Sequence, residues 1–255
     1  MMFPYMIGKD KGAYKTAFEY AIKYYAAKDP LKMSENSGAI FDPKQSIIRL
    51  KSLGQVFDIK YPEGNIVFNG SKYMPAWNWR WLILHYLSRA DNTPIINKLI
   101  SYRELENGYV NYAAFLRKSI DPLIKNFSQE PAEQIKAAFH ILDTSIEEGA
   151  DICAKIHLFP RFPLTIKLWL DDDEIKGSAN ILFDMSANHY LDTEAINEAG
   201  IMVSYRSCFF LSFSHLLSMV VLLSLFPGNR SIKIVEYSRL VPYNHLLIFM
   251  QNVVI

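Results

Sequence analysis

Cysteine is nearly absent from this chain of 255 residues, which holds two thiols, Cys153 and Cys208. Two thiols exclude a disulfide framework and cannot by themselves build a four-thiolate zinc or iron–sulfur site. A reducing compartment fits that usage. Net charge is missing too: 27 lysines and arginines stand against 26 aspartates and glutamates. No global field therefore draws the chain to nucleic acid or to an anionic membrane surface, and nucleic-acid binding is not expected. Met1 to Gly12 lacks a basic segment followed by an apolar stretch, so it does not read as a secretory signal, and the expected location is the cytoplasm. There is no Gly-rich phosphate loop, no Gly-x-Ser-x-Gly elbow and no His-Glu-x-x-His. Those absences count against the common nucleotide-binding, hydrolase and zinc-protease classes, and no cofactor is expected. No internal repeat or Gly/Ser-rich linker forces a domain cut.

What is present is apolar surface, half of the residues, enough for a sizeable core. Tyr14, Ala17, Phe18, Ala21, Ile22 and Tyr25 recur at helical spacing over residues 13–28, and Asp29-Pro30 ends the pattern. From Ala39 to Phe68 the signal changes to short β-rich runs that predict an antiparallel hairpin or meander, with Tyr61-Pro62-Glu63-Gly64 suited to a type I turn. Pro75 opens a helix from Trp77 to Leu87 that is apolar nearly all round and so predicted to be buried. Its one polar stripe is Asn78, His85 and Arg89. Leu99 to Tyr112 reads as two further strands around Glu106-Asn107-Gly108, and residues 113–126 and 131–143 as helices. Leu164, Ile166, Leu168 and Leu170 alternate with Thr165, Lys167 and Trp169, a strand whose returning partner is Asn180 to Phe183. Asp192 suits a helix cap. The fold class expected is α+β: antiparallel sheet or hairpins packed with several helices, a single domain followed by an apolar helical tail.

The carboxyl end differs in composition. Residues 201–255 hold one acid, Glu236, and eight serines, whereas the first 200 residues hold 25 acids. Cys208 to Phe226 is a 19-residue run without a charged group, close to the roughly 20 residues that cross a bilayer as a helix. Four serines and His215 interrupt it, and the more basic flank follows it, contrary to the positive-inside tendency. A membrane span over 208–226, a buried helix, and a tail foreign to the ancestral domain all remain open. The organisation expected is a domain over 1–200 and an apolar, serine-rich tail over 201–255.

Two constellations carry potential chemistry. Asp171, Asp172, Asp173 and Glu174 lie at the end of a predicted hairpin, with Asp184, His189 and Glu194 downstream. Oxygen-rich clusters suit hard cations, and an added imidazole suits a transition metal. The spacing fits no calcium-hand loop, because the sixth residue from Asp171 is Lys176 and the twelfth is Leu182. The plain reading is a solvated hairpin tip, and no metal is assigned. In Phe159-Pro160-Arg161-Phe162-Pro163, two X-Pro steps fix the direction of Arg161, which could clamp a carboxylate or phosphate or pair with Asp173 or Asp184. Arg161, Asp173, Glu174, Asp184 and His189 are the primary candidate ligand-binding residues; Asn78, His85 and Arg89 are the secondary ones. Cys153 and His157 would share a face if that segment were helical, but two ligands do not make a zinc site.

Leu84-His85-Tyr86-Leu87, Ile100-Ser101-Tyr102-Arg103-Glu104-Leu105 with Gly108 and Tyr112, Phe159-Pro160-Arg161-Phe162-Pro163-Leu164, Leu168-Trp169, Asp173-Glu174, Leu182-Phe183-Asp184 and Tyr190-Leu191-Asp192-Thr193-Glu194 occur in that order. Together they resemble the domain of unknown function (DUF) 3786 family over about residues 15–200. The resemblance implies an anaerobic bacterial or archaeal setting, and some relatives carry an added iron–sulfur segment, whose cysteines this chain lacks. It brings no catalytic residue with it. The leading expectation is a cytoplasmic small-ligand-binding or accessory domain in redox or one-carbon metabolism. The alternatives are a metal-dependent enzyme using the Asp/His residues of 171–194, and a tail-anchored membrane protein.

Overall fold

The computed structural model describes residues 11–224, with side chains over residues 16–212. Helix α1 (Lys11–Ala26) and helix α2 (Pro30–Ser37) lead in. The Asp29 carboxylate starts α2 by accepting the N–H groups of Leu31 and Lys32 at 2.8 and 3.0 Å, satisfying donors that the helix itself leaves unpaired. Strands β1 (Ile40–Asp42), β2 (Ile47–Ser52), β3 (Gln55–Lys60) and β4 (Ile66–Phe68) form the predicted antiparallel meander, in the order β1-β2-β3-β4. Strand alternation buries Ile48, Leu50, Phe57 and Ile59, while Arg49 and Asp58 pair across the other face at 3.1 Å. The corner after β3 is not the expected type I turn: the Tyr61–Pro62 peptide is cis, and Gly64 N–H donates to Lys60 O at 2.8 Å.

Helix α3 (Trp77–Arg89) is the hub, and its position explains why it is apolar nearly all round. Its first turn serves the meander: Trp79 meets Phe57 edge-on at 4.7 Å, and its indole N–H donates to Ser52 Oγ at 2.8 Å. Near its other end, Tyr86 stacks on Phe159 of the second sheet at 4.3 Å. Both aromatic residues are essentially fully buried.

That second sheet comprises β5 (Leu99–Ser101), β6 (Thr144–Glu147), β7 (Ile152–Phe159), β8 (Phe162–Trp169) and β9 (Ser178–Asp184). It is antiparallel in the order β5-β9-β8-β7-β6. Ile152, Ala154, Ile156, Leu164, Ile166, Leu168, Ile181 and Phe183 join the core on one face. Helices α4 (Gly108–Phe115), α5 (Asp121–Phe127), α6 (Ala132–His140) and α7 (Thr193–Ser224) belong to this half, with a π-helical stretch, Leu116–Ile120, joining α4 to α5. The sheets meet where Leu53 N–H donates to His157 O at 3.3 Å and Lys51 Nζ reaches Asp143 at 2.9 Å.

One expected strand is a helix. After β5, Glu104 accepts from both N–H and Oγ of Ser101 at 2.7 Å and opens a 3-10 turn, Tyr102–Glu104. Asn107, at φ 57°, then turns the chain into α4. A Cβ on Gly108 would sit 1.9 Å from Tyr102 O, so glycine is required there for close backbone approach rather than for a hairpin. Cys153 and His157 likewise lie on strand β7, not on a helix.

Helix α7 runs without a break through Gly200, where the composition shifts. A Cβ at Gly200 would fall 2.5 Å from the Phe115 ring, so the helix passes α4 at glycine-only distance. Ala195, Ala199, Val203, Cys208 and Leu211 are all buried in the same core. Arg206 is buried with them, its guanidinium 3.9 Å from the centre of the Trp79 ring, and burial lowers its pKa to about 9. Among the described residues no helix is long and apolar enough to cross a membrane. The expected span over 208–226 and the tail to 255 lie largely outside the described side chains.

Candidate functional site

The five primary candidates do not converge. Strands β8 and β9 form a hairpin whose closed end, residues 170–177, carries Asp171, Asp172, Asp173 and Glu174. Arg161, Asp184 and His189 belong to the opposite end, roughly 20 Å away at about 3.3 Å per residue along β9. The single Asp/His cluster anticipated over 171–194 is therefore two separate regions. Among the described residues, no three or more His, Cys, Asp or Glu side chains group in a way that could hold a metal.

The acidic loop is a solvated tip that organises itself. Asp171 accepts from Gly177 N–H at 2.6 Å and from the Gln129 side-chain amide at 3.1 Å; Asp172 accepts from Glu174 and Ile175 N–H at 2.9 and 2.6 Å. Those backbone N–H bonds hold both carboxyl groups below the usual range. Asp173 and Glu174 are exposed to solvent on the rim.

Arg161 sits in the two-residue turn between β7 and β8, next to the Phe159–Phe162 pair. It is fixed, as the flanking prolines predict, but by different partners. Its Nη2 donates to Glu35 O at 3.1 Å, its backbone N–H to Tyr86 Oη at 3.1 Å, and its side chain bonds that of Tyr190. The expected acids, Asp173 and Asp184, are not its partners: one lies at the far end of the sheet, and the other is engaged by the loop before β5.

Asp184 accepts four hydrogen bonds, from Ile96 N–H at 3.0 Å, Asn97 N–H at 2.6 Å, Ser186 N–H at 3.0 Å and Ser186 Oγ at 2.6 Å. Burial raises its pKa, but these donors outweigh that and keep it ionised. This carboxylate fastens the 91–97 loop to β9. His189 holds the other end of that loop, its Nδ1 2.8 Å from Asp91 and 3.1 Å from Thr93 Oγ1, while Tyr190 Oη donates to Thr93 O.

The secondary stripe closes a seam between α3 and α7. Asn78 Nδ2 donates to Glu198 at 3.1 Å, and His85 Nε2 lies 2.8 Å from Asp192. Burial raises the Asp192 pKa; the His85 bond, the Ala195 N–H and the charges of His85 and Arg89 outweigh it and bring the carboxyl down to about 2. Glu198 goes the other way, raised by burial beyond what Asn78 and Lys118 offset.

Between the two ends lies a feature that none of the primary candidates but Asp184 touches. The face of the second sheet turned away from the helices holds a cavity of about 230 Å³ lined by Asn97, Leu99, Glu147, Lys155, Pro163, Thr165 and Asp184. Cross-strand register assembles it: Lys155 is opposite Thr165, and Leu99 is opposite Asp184. Thr165 is 1% exposed, and its hydroxyl bonds no other described residue. Lys155 Nζ and Glu147 Oε1 stand 3.8 Å apart, an ion pair without a direct hydrogen bond. Cys153 lies on the same face beside Glu147 and Lys167, its thiol raised in pKa chiefly by burial.

The fastened 91–97 loop forms one wall through Asn97, so Arg161, Tyr190, His189 and Asp91 support the cavity from its end without lining it. Sequence reasoning missed Asn97, Glu147, Lys155 and Thr165. The available signal was the polar face of the β7 and β8 alternation, where Lys155, Thr165 and Lys167 oppose the aliphatic positions. In comparisons with known proteins, the model of a family described as a domain of unknown function (DUF3786) matches residues 29–206. No curated protein and no solved structure matches the chain.

Proposed function

The chain belongs to the DUF3786 family, and we propose that this member is a small-ligand-binding accessory domain that takes its ligand in the cavity on the open face of the five-stranded sheet. The observation that carries this reading is the hydroxyl of the buried Thr165, which bonds no other described residue and lines the cavity beside Lys155. A concave site built on strands, with a cation, two acids, an amide and a hydroxyl converging between apolar walls at Leu99 and Pro163, is the usual construction of a small-molecule pocket. His189 acts as a positioning residue, because it and Asp184 hold the loop that forms the Asn97 wall, and Arg161 acts at one remove by bonding Tyr190, which bonds Thr93 of that loop. Both cysteines are free and buried, in keeping with the reducing, cytoplasmic setting we assign.

A thermal-shift screen of small metabolites against the full chain tests the reading. A true ligand at about one hundred times its dissociation constant stabilises the folded state by roughly 2.7 kcal/mol. That stabilisation should disappear in Lys155→Met and Thr165→Val. A ligand that protects both variants as well as the parent protein would place the site elsewhere.

A further inference from the structure

Resting on that reading, we propose that the cavity takes an α-amino acid with a small apolar side chain, bound as its zwitterion. Complementary charges lie side by side at one end. Lys155 (29% side-chain exposure) and Glu147 (43%) stand 3.8 Å apart, too far for a direct hydrogen bond, so the ammonium and the carboxylate each keep bonding capacity. Thr165 lies directly across from Lys155 on the neighbouring strand and supplies a second donor to whatever anion Lys155 attracts. A ligand carboxylate therefore takes Lys155 and the Thr165 hydroxyl. The adjoining ligand ammonium takes Glu147.

Asp184 is the poorer partner for the ammonium, because it already accepts four hydrogen bonds, three at Oδ1 from Ile96 and Ser186 and one at Oδ2 from Asn97. Glu147, which accepts no direct hydrogen bond from Lys155, is the acid of the cavity with more capacity to spare. Away from the charged pair the lining turns apolar, with Pro163 two residues before Thr165 on the same strand face and Leu99 at the β5 edge. The volume, about 230 Å³, equals the space of roughly eight waters at ~30 Å³ each. This is room enough to hold a small amino acid.

Isothermal titration of the full chain with four probes tests the assignment: L-leucine, 4-methylpentanoate without the ammonium, isopentylamine without the carboxylate, and inorganic phosphate. L-leucine should bind, and each truncated probe should bind about tenfold or more weakly, the usual loss when a charge-assisted hydrogen bond is removed. Glu147→Gln should weaken L-leucine by a similar factor while leaving 4-methylpentanoate unchanged; Lys155→Met should abolish both. If 4-methylpentanoate or phosphate binds as well as L-leucine, or if Glu147→Gln leaves L-leucine affinity intact, the zwitterion assignment is overturned while the cavity remains a Lys155-dependent site. If L-leucine, L-valine and L-alanine all fail to bind but another metabolite is lost on Lys155→Met, the assignment is overturned and the cavity reading stands. If no ligand's binding responds to Lys155→Met, both are overturned.

Discussion

His85 Nε2 lies 2.8 Å from Asp192 Oδ2, and Asp192 Oδ1 accepts the Ala195 N–H at 2.9 Å, so one carboxylate both caps helix α7 and ties it to the centre of α3. Asp192→Ala removes the cap and the tie together. The expected cost is about 1 to 2 kcal/mol, the range for losing a helix cap, read as a lower denaturation midpoint in urea.

The pH dependence has a definite sign. The Asp192 carboxyl is held at about 2 in the folded chain, below the ordinary aspartate value of about 3.9. Its contribution is therefore fully present above about pH 4 and is lost as the pH falls toward 2. Asp91 and Asp184 are lowered too and add to the same acid limb. An acid unfolding titration of Asp192→Ala should show a shallower fall between pH 4 and 2 than the parent; an identical slope would remove Asp192 from the account.

Asp184→Ala should cost more than Asp192→Ala, about 3 kcal/mol, because it strands three backbone N–H groups and the Ser186 hydroxyl near the buried end of β9. Hydrogen exchange localises the effect: the Ile96 and Asn97 amides should lose protection before those of β7 and β8 do.

Glu198 tests the opposite sign. Burial raises its carboxyl pKa, so ionising it at neutral pH works against folding. Glu198→Gln keeps an acceptor for Asn78 and removes the charge. It should raise the melting temperature at pH 7, with the gain shrinking as the pH falls through the raised folded-state pKa and gone at the ordinary glutamate value of about 4.3, where the parent carboxyl is already protonated in the folded chain.

The fold was legible wherever period and punctuation agreed. The alternation of Leu164, Ile166 and Leu168 located β8, and the all-round apolarity of Trp77 to Leu87 marked a helix that both sheets pack on. It failed at Asn107-Gly108, because the same dipeptide that makes a tight hairpin can also start a helix when the backbone must pass within reach of Tyr102 O. The candidate site was legible only in part. Arg161 was recognised as fixed, and Asp184 does line the cavity, yet pairings such as His189 with Asp91 join residues 98 apart in the chain. Lys155 and Thr165 become neighbours only through strand register, which no local spacing encodes.

The compositional break after Gly200 coincides with no break in α7. A chain ending at Gly200 would uncover the core facing Val203, Cys208 and Leu211, each of them buried. It should lose cooperative thermal unfolding, checked by calorimetry, whereas Asp173→Asn and Glu174→Gln in the exposed loop should change stability by less than about 0.5 kcal/mol.

The most direct test of the central claim is a backbone amide titration by two-dimensional NMR, in which the ligand found by screening is added to the full chain. The expected result is that the largest saturable shifts fall on Asn97, Lys155 and Thr165 and vanish in Lys155→Met. Shifts centred instead on Arg161 or on the Asp173–Glu174 loop, and unchanged in that variant, would contradict the cavity as the binding site.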